Sequence, residues 1–379
     1  MKITAIDAWP VWNGSRNSLF VTVDTDEGIY GVGESGLSGR EHAVCAAIDH
    51  FRPMLLGMDP FRTEYIWQLL FRGGFFPAQR IQTAAIAAID IALWDIKGKA
   101  LNVPVYDLLG GLARDRVVCY PHNVGHSMDE ETLVESCLAT KEAGWKFLRW
   151  GLPHEGNQLE PRQSILAAIR QVQAVREAVG DDIEIAFDVH TRLDLPDTLW
   201  LCKELEPYRL FFVEDPLRCE NTQSYRSLRQ RTTVPLAAGE QFSSKWEFRQ
   251  LIEEDLIDYA RIDVCIAGGL TEARKIAGWC ETHYIKLATH NPLGPVSTAA
   301  CLHLNLASPL VGVQEQHVIP GTQMLDVFPE QVEWKDGWLL PPEAPGLGVT
   351  FDREGARANP MRESQRMILQ RADGSLTNW

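Results

Sequence analysis

The sequence predicts an α/β barrel, a modified TIM (β/α) barrel, preceded by an α+β capping domain. Three observations carry this. Six polar residues, Asp188, Glu214, Glu240, Asp263, His290 and Glu315, recur at intervals of 23 to 27 residues. Each follows a short run rich in apolar residues: Ile183 to Phe187, Leu210 to Val213, Pro235 to Ala238, Tyr259 to Ile262, Ile285 to Ala288, and Val311 to Val313. The first 115 or so residues lack this rhythm. A strand, a polar residue at its C-terminal end and then a helix, repeated, is how such a barrel gathers chemistry on one face.

Residues 1–115 read as strands followed by helices. Leu19, Val21 and Val23 alternate with polar neighbours, and Asp26-Glu27-Gly28 turns the chain into Ile29 to Val32, an antiparallel hairpin. Ser38-Gly39-Arg40-Glu41 has capping-box spacing ahead of Val44, Ala47 and Ile48. The apolar stretch Ala84 to Ile96, broken by Asp90 and Asp95, predicts a buried helix ending near Gly98.

The barrel is expected over 116–340. Its βα rhythm starts near Val117. Ser127-Met128-Asp129-Glu130 is a second capping-box pattern, with Gly144 past the end of the helix it opens. Phe147 to Trp150 reads as a strand, and Pro161 to Val179 as a long amphipathic helix with Gly180 just beyond it. The last segment, 341–379, is rich in Pro and Gly at first. It is expected to leave the barrel and pack back on the capping domain.

Composition narrows the function. The chain has 379 residues and a formal charge of −15, which argues against nucleic acid and against an anionic membrane surface as partners. Its eight cysteines form no C-x-x-C pair and fit no zinc template. The opening Met1-Lys2-Ile3-Thr4 runs into a strand pattern and not a secretory leader, and no apolar stretch has the ~20 residues a bilayer needs. A soluble cytoplasmic protein is expected.

Asp188, Glu214 and Glu240 would end three successive strands about 4.8 Å apart. Carboxylates that close repel unless a cation sits among them. All-oxygen ligation suits Mg²⁺ or Mn²⁺ over Zn²⁺. His190 follows Asp188 by two and could donate a proton beside the metal. His290, one strand from Asp263, has the features of a general base, because a carboxylate on one imidazole nitrogen raises the basicity of the other. Glu315 could hydrogen-bond a developing oxyanion if protonated. His122 and His126 follow the first barrel strand and could reach the pocket. His42, His50, His154, His283, His303 and His317 read as solvated or helix-surface groups.

The chain resembles the mandelate racemase subgroup of the enolase superfamily along its whole length. The likeness lies in Gly31-Val32-Gly33-Glu34, Ala92 to Gly98, Phe212-Val213-Glu214-Asp215-Pro216, Ala237-Ala238-Gly239-Glu240 and Ala267-Gly268-Gly269. Within the subgroup it is most similar to sugar-acid dehydratases of the D-galactonate type, through His290 to His303, Gln314-Glu315-Gln316 and Gly374 to Trp379. The resemblance implies a lyase with one Mg²⁺ per subunit on Asp188, Glu214 and Glu240. It implies His290, supported by Asp263, as the base next to the substrate carboxylate, and His190 as the acid. It also implies loops near Trp12 to Asn17 and Phe71 to Gln79 that shape specificity, so Trp12, Arg16, Phe75 and Trp150 are expected near substrate. Related enzymes suggest a homo-oligomer, a dimer or higher.

One departure bears on the reaction. Racemases of the subgroup carry Lys-x-Lys at the end of barrel strand two, and the second lysine is a base. Here the stretch is Leu148-Arg149-Trp150-Gly151. Arg149 keeps a cation for a substrate carboxylate, but Gly151 cannot move a proton. That favours dehydration of an aldonate to a 2-keto-3-deoxy acid. The alternatives are a racemase or epimerase of a 2-hydroxy acid and a catalytically silent sugar-acid binder.

Overall fold

The computed structural model describes residues 1–123, 126–363 and 367–377. The chain opens with an antiparallel sheet ordered β1 (Ile3–Trp12), β2 (Asn17–Thr25), β3 (Tyr30–Ser35). Helices α1 (Glu41–Leu55), α2 (Thr63–Arg72), α3 (Arg80–Leu101) and α4 (Val105–Leu108) follow. The expected hairpin is the β2–β3 pair. Helix α1 is capped at Arg40, not Ser38. The N–H of Gly39 goes to Glu41 Oε1 at 2.6 Å, and no side chain caps the helix.

Helix α3 is buried almost all round between Thr83 and Ile96. Its start is set by a reciprocal pair, Gln79 and Gln82, each side chain accepting from the other's backbone N–H. It runs past Gly98 to Leu101 because that glycine serves another purpose. A Cβ on Gly98 would lie 2.7 Å from the Cα of Gly346, in the C-terminal segment. Strand β3 lies directly on α3. A Cβ on Gly33 would meet the carbonyl oxygen of Ala88 at 1.7 Å, so any side chain there would push sheet and helix apart. The two acids that interrupt this apolar helix are clamps. Asp95 accepts from the N–H of Val32 (3.0 Å) and of Leu347 (2.9 Å), and Asp90 accepts from the N–H of Thr271 (2.9 Å). A buried carboxylate with such partners meets the hydrogen-bonding requirement that an isolated one would fail.

Eight strands then form the barrel: β4 (Val117–Tyr120), β5 (Phe147–Gly151), β6 (Glu184–Asp188), β7 (Phe212–Glu214), β8 (Leu236–Ala238), β9 (Tyr259–Ala260), β10 (Lys286–Thr289) and β11 (Val311–Glu315). They pair in parallel from β5 through β11 and on to β4. Asn123 joins the seam between β4 and β5: its N–H donates to Arg149 O (2.8 Å), and its Oδ1 accepts from the Arg149 N–H (3.2 Å). Between the strands run α5 (Glu130–Glu142), α6 (Pro161–Val179), α7 (Leu195–Leu205), α8 (Ser224–Arg229), α9 (Lys245–Glu253), α10 (Leu270–Thr282) and α11 (Pro295–Ala307). Asp129 caps α5 by accepting from Thr132 N–H.

Strand periodicity decides what enters the barrel. Tyr120, Phe147, Ala186, Phe212, Ala237, Tyr259, Ala288 and Val313, one from each strand, fill its interior. Their neighbours, among them Leu148, Trp150, Phe187 and Leu236, pack outward on the helices. Two residues further on, the inward positions carry His122, Arg149, Asp188, Glu214, Arg261, His290 and Glu315. Glu240 is one residue out of phase, and Gly239, at φ +127°, supplies the turn that brings it in.

A hairpin of β12 (Trp334–Lys335) and β13 (Trp338–Leu339) pairs antiparallel with β4. The chain beyond it packs on the first domain. Trp12 N–H donates to Asn359 O (2.9 Å), Asn17 Nδ2 to Arg362 O (2.7 Å) and Tyr30 Oη to Phe351 O (3.2 Å). It then returns to the barrel, where Leu159 N–H donates to Gln370 O (3.0 Å). Asn378 and Trp379 lie outside the described residues. Among the described residues, no helix is long and apolar enough to cross a membrane. All eight cysteines are free.

Candidate active site

The inward residues at the C-terminal ends of the strands surround a cavity of about 650 Å³, within the range of small-molecule sites. His122, Arg149, His190, Glu240, His290 and Glu315 line it from the barrel, and Arg16, Leu37 and Arg80 from the first domain.

His290 sits one residue past β10. Its Nδ1 is 2.7 Å from Asp263 Oδ2, and its Nε2 lies 3.5 Å from Glu240 Oε2 and 3.9 Å from Glu315 Oε2. Asp263 is itself fixed by the N–H of Cys265 (2.7 Å). Burial pushes the imidazole pKa down, but the charges of Glu240 and Glu315 and the Asp263 hydrogen bond outweigh it and raise it to about 9.

Across the barrel, His190 lines the cavity for a reason different from simple strand alternation. β6 ends at Asp188, and His190 and Thr191 both have left-handed backbones, φ +56° and +57°. Such conformations cost about 1–3 kcal/mol each and hold only where surroundings enforce them. Asp188 does so, accepting from the His190 N–H (2.7 Å) and contacting its Nδ1 (3.1 Å).

Two arginines thread the carboxylates. Arg149 Nη2 reaches Asp188 Oδ2 (2.7 Å) and Glu214 Oε1 (3.1 Å). Arg261, fully buried, places Nη2 2.6 Å from Glu214, 2.7 Å from Glu315 and 3.3 Å from Glu240, while Nη1 donates to Tyr120 Oη (2.5 Å). Sequence reasoning missed Arg261. Its signal was the period of two in Tyr259, Arg261 and Asp263. Glu315 also contacts His122 Nε2 (2.5 Å) and accepts from the Asn291 N–H (3.1 Å). Burial opposes its ionisation, yet Arg261, His290 and His122 hold its pKa well below the carboxylate range. These neighbours favour the carboxylate form of Glu315, whereas donation to an oxyanion needs the protonated one.

The donor set fits a hard cation. Glu214, Asp215 and Glu240 bring oxygens within 4.8 Å of one another, all buried. Asp215 Oδ2 has no hydrogen-bond partner among the described residues. Burial and the neighbouring carboxylates raise Asp215 well above its ordinary pKa. Burial also raises Glu214 to about 7 despite both arginines. That is a surplus of negative charge of the kind a divalent ion relieves. Asp188, expected as the third ligand, is held by Arg149 at 2.7 Å, and Asp215 lies beside Glu214 and Glu240 in the tight cluster.

The substrate-facing expectations divide. Arg16 and Arg149 line the cavity, but the cationic tip of Arg149 is spent on Asp188 and Glu214. Trp150 faces the helices and packs edge-on to Phe187 (5.9 Å), because alternation that turns Arg149 inward turns its neighbour outward. Phe75 is 94 % exposed, and Trp12 lies under the Arg362 guanidinium; neither lines the cavity. His122, His126 and His317 do line it. His303 is no helix-surface group. It is buried, accepting from Tyr106 N–H (3.0 Å) and bonding Leu347 O (3.1 Å).

Residues 13–110 match the mandelate racemase/muconate lactonizing enzyme N-terminal domain, and residues 132–355 the enolase C-terminal domain-like family. The chain belongs to this enzyme family, within the enolase superfamily. It is 39 % identical to a D-mannonate dehydratase of Caulobacter sp. (strain K31), covering 96 % of each chain. It is 37 % identical to a D-galactonate dehydratase of Ralstonia nicotianae, covering 100 % of each. Among solved structures, an enolase from Pantoea ananatis with bound D-gluconate and Mg superposes with a TM-score of 0.94 at 31 % identity, covering 100 % of this chain and 99 % of that one.

Proposed function

We propose that this protein is a Mg²⁺-dependent sugar-acid dehydratase, a hydro-lyase that converts an aldonate, D-galactonate or a close stereoisomer, into a 2-keto-3-deoxy acid. The observation that carries the reading is the imidazole–carboxylate pair His290–Asp263 facing His190 across a cavity floored by buried carboxylates. Glycine at 151 leaves the racemase base position empty of proton chemistry, and relatives similar along their whole length bear dehydratase names.

Asp188, Glu214 and Glu240 would hold the Mg²⁺, one per subunit, with Asp215 beside them and Mn²⁺ as the substitute of matching preference. The ion supplies the positive charge that makes a proton next to a carboxylate removable. Glu240 contributes the largest of the three charges that raise His290, so neutralising it would lower the proton affinity of Nε2. His290 takes the C2 proton, and Asp263 on Nδ1 steadies the resulting imidazolium. His190 gives a proton to the departing 3-hydroxyl, since hydroxide leaves poorly. The C2–H and C3–O bonds break, water departs, and the enol tautomerises to the keto acid. Arg261 and the His122 imidazole keep Glu315 ionised at the edge of this path. A cytoplasmic homo-oligomer is part of the same proposal.

A semicarbazide screen for 2-keto acids across aldonates and aldarates, with Mg²⁺ and with EDTA, tests it. Product that needs Mg²⁺ is expected. Deuterium exchange at C2 in D₂O without loss of water would shift the reading to a racemase.

A further inference from the structure

A side chain at position 151 would sit at the end of β5, two residues past Arg149 and facing the cavity. The residue is glycine, but the space is filled. A Cβ built there would lie 2.0 Å from Cε1 and 2.1 Å from Nδ1 of His126, far inside van der Waals contact. The His126 imidazole, delivered by the chain after β4, occupies that volume and lines the cavity. Its ring centroid lies 5.9 Å from that of His190.

The ring is anchored. Arg192 Nη1 is 2.8 Å from Nδ1, and its Nη2 approaches Nε2 at 3.5 Å. Arg192 is itself buried, also donating to Leu152 O (3.3 Å). On the other side the ring stacks on His154 at 5.5 Å, and His126 O accepts from the His154 N–H (3.0 Å). A guanidinium can only donate, so Nδ1, the nearer nitrogen, is the acceptor of the shorter contact, and Nε2 lies at the edge of hydrogen-bond range. Burial, then the Arg192 charge, hold the pKa at about 2. His126 is thus a fixed neutral imidazole, suited to hydrogen bonding and not to proton transfer.

We propose that His126, locked by Arg192, stands in for the side chain absent at position 151 and is a specificity-determining residue that hydrogen-bonds a hydroxyl of the sugar-acid chain beyond the carbon that loses water. This rests on the sugar-acid reading of the cavity.

The test is a double-mutant cycle read by binding. The probe is whichever of D-galactonate, D-mannonate and D-gluconate the Mg²⁺-loaded parent chain binds most tightly by calorimetry. His126→Ala should weaken binding about three- to tenfold, the worth of one hydrogen bond. His126→Asn, which keeps an N–H donor, should recover part of it. Gly151→Ala, which displaces the ring, should weaken binding as much in the parent and by nothing further in the His126→Ala background. Additive losses, or unchanged affinity in His126→Ala with an unchanged urea midpoint, would overturn the proposal. So would a parent chain that binds none of the three acids. Binding with the expected cycle but no keto acid would defeat the dehydratase reading alone.

Discussion

The two sides of the cavity treat histidine in opposite ways. On the side built by β8 to β11, His290 is ringed by Asp263, Glu240 and Glu315, and its proton affinity is raised to about 9. On the side built by β4 to β6, His122 and His126 share the cavity wall with Arg149, and Arg192 holds His126. Burial and those cations lower them to about 4 and about 2. The same side chain becomes a proton acceptor on one wall and a neutral hydrogen-bonding group on the other. All three are buried: carboxylates overcome that burial at His290, whereas at His126 the Arg192 charge adds to it, and at His122 burial and Arg149 prevail even against Glu315.

The largest test of that contrast removes the acceptor. His290→Asn should lower keto-acid formation by about 10²- to 10⁴-fold with Mg²⁺ present, the usual worth of a general base. Near-normal turnover would show that the acid-lined wall does not hold the base. Next come the arginines that thread the carboxylates. Arg261→Met strands Glu214 and Glu315 in the interior and should cost about 3–5 kcal/mol in metal-free urea unfolding. Added Mg²⁺ should recover part of the loss, and a change below about 1 kcal/mol would mean the carboxylates are compensated some other way.

His303 sharpens the contrast as a histidine lowered by burial, away from both walls. Its folded pKa is about 4, against an ordinary value of 6.5. The native state keeps it neutral, while the unfolded chain protonates it. Stability from this group is therefore present above pH 6.5 and lost as the pH falls from 6.5 towards 4, by about 3 kcal/mol. Urea midpoints of the parent and His303→Asn should converge over that window, and parallel curves would refute the assignment. The smallest effect belongs to the surface. Arg209 and Asp181, both well exposed, pair at 2.9 Å, and Arg209→Ala should cost less than about 1 kcal/mol in the same assay.

Much of this arrangement was legible in the sequence because strand ends are marked by chemistry. A polar residue after four apolar ones has few uses, so Asp188, Glu214, Asp263, His290 and Glu315 announced themselves. Arg261 was hidden between Ala260 and Ile262, and only the two-residue period tying it to Tyr259 and Asp263 would have exposed it. Trp150 is expected near substrate from the family resemblance, but adjacency to Arg149 on a strand turns it to the opposite face. That His126 could reach the pocket was legible from its place after the first barrel strand, but its contact with Gly151 was not, because that relation is one of space and not of order along the chain. Ser38 carried the pattern of a helix cap, but Arg40 begins the helix, since spacing alone does not fix where backbone dihedrals turn.

Glu34, at the end of β3, accepts from the N–H groups of Gly294 (2.8 Å) and Ser297 (2.9 Å), at the start of the helix that follows the His290 loop. It is completely buried. The first domain is in effect bolted to the same short stretch of backbone that aims the base. Swinging that domain aside as a unit would break these two buried bonds or drag the base out of alignment.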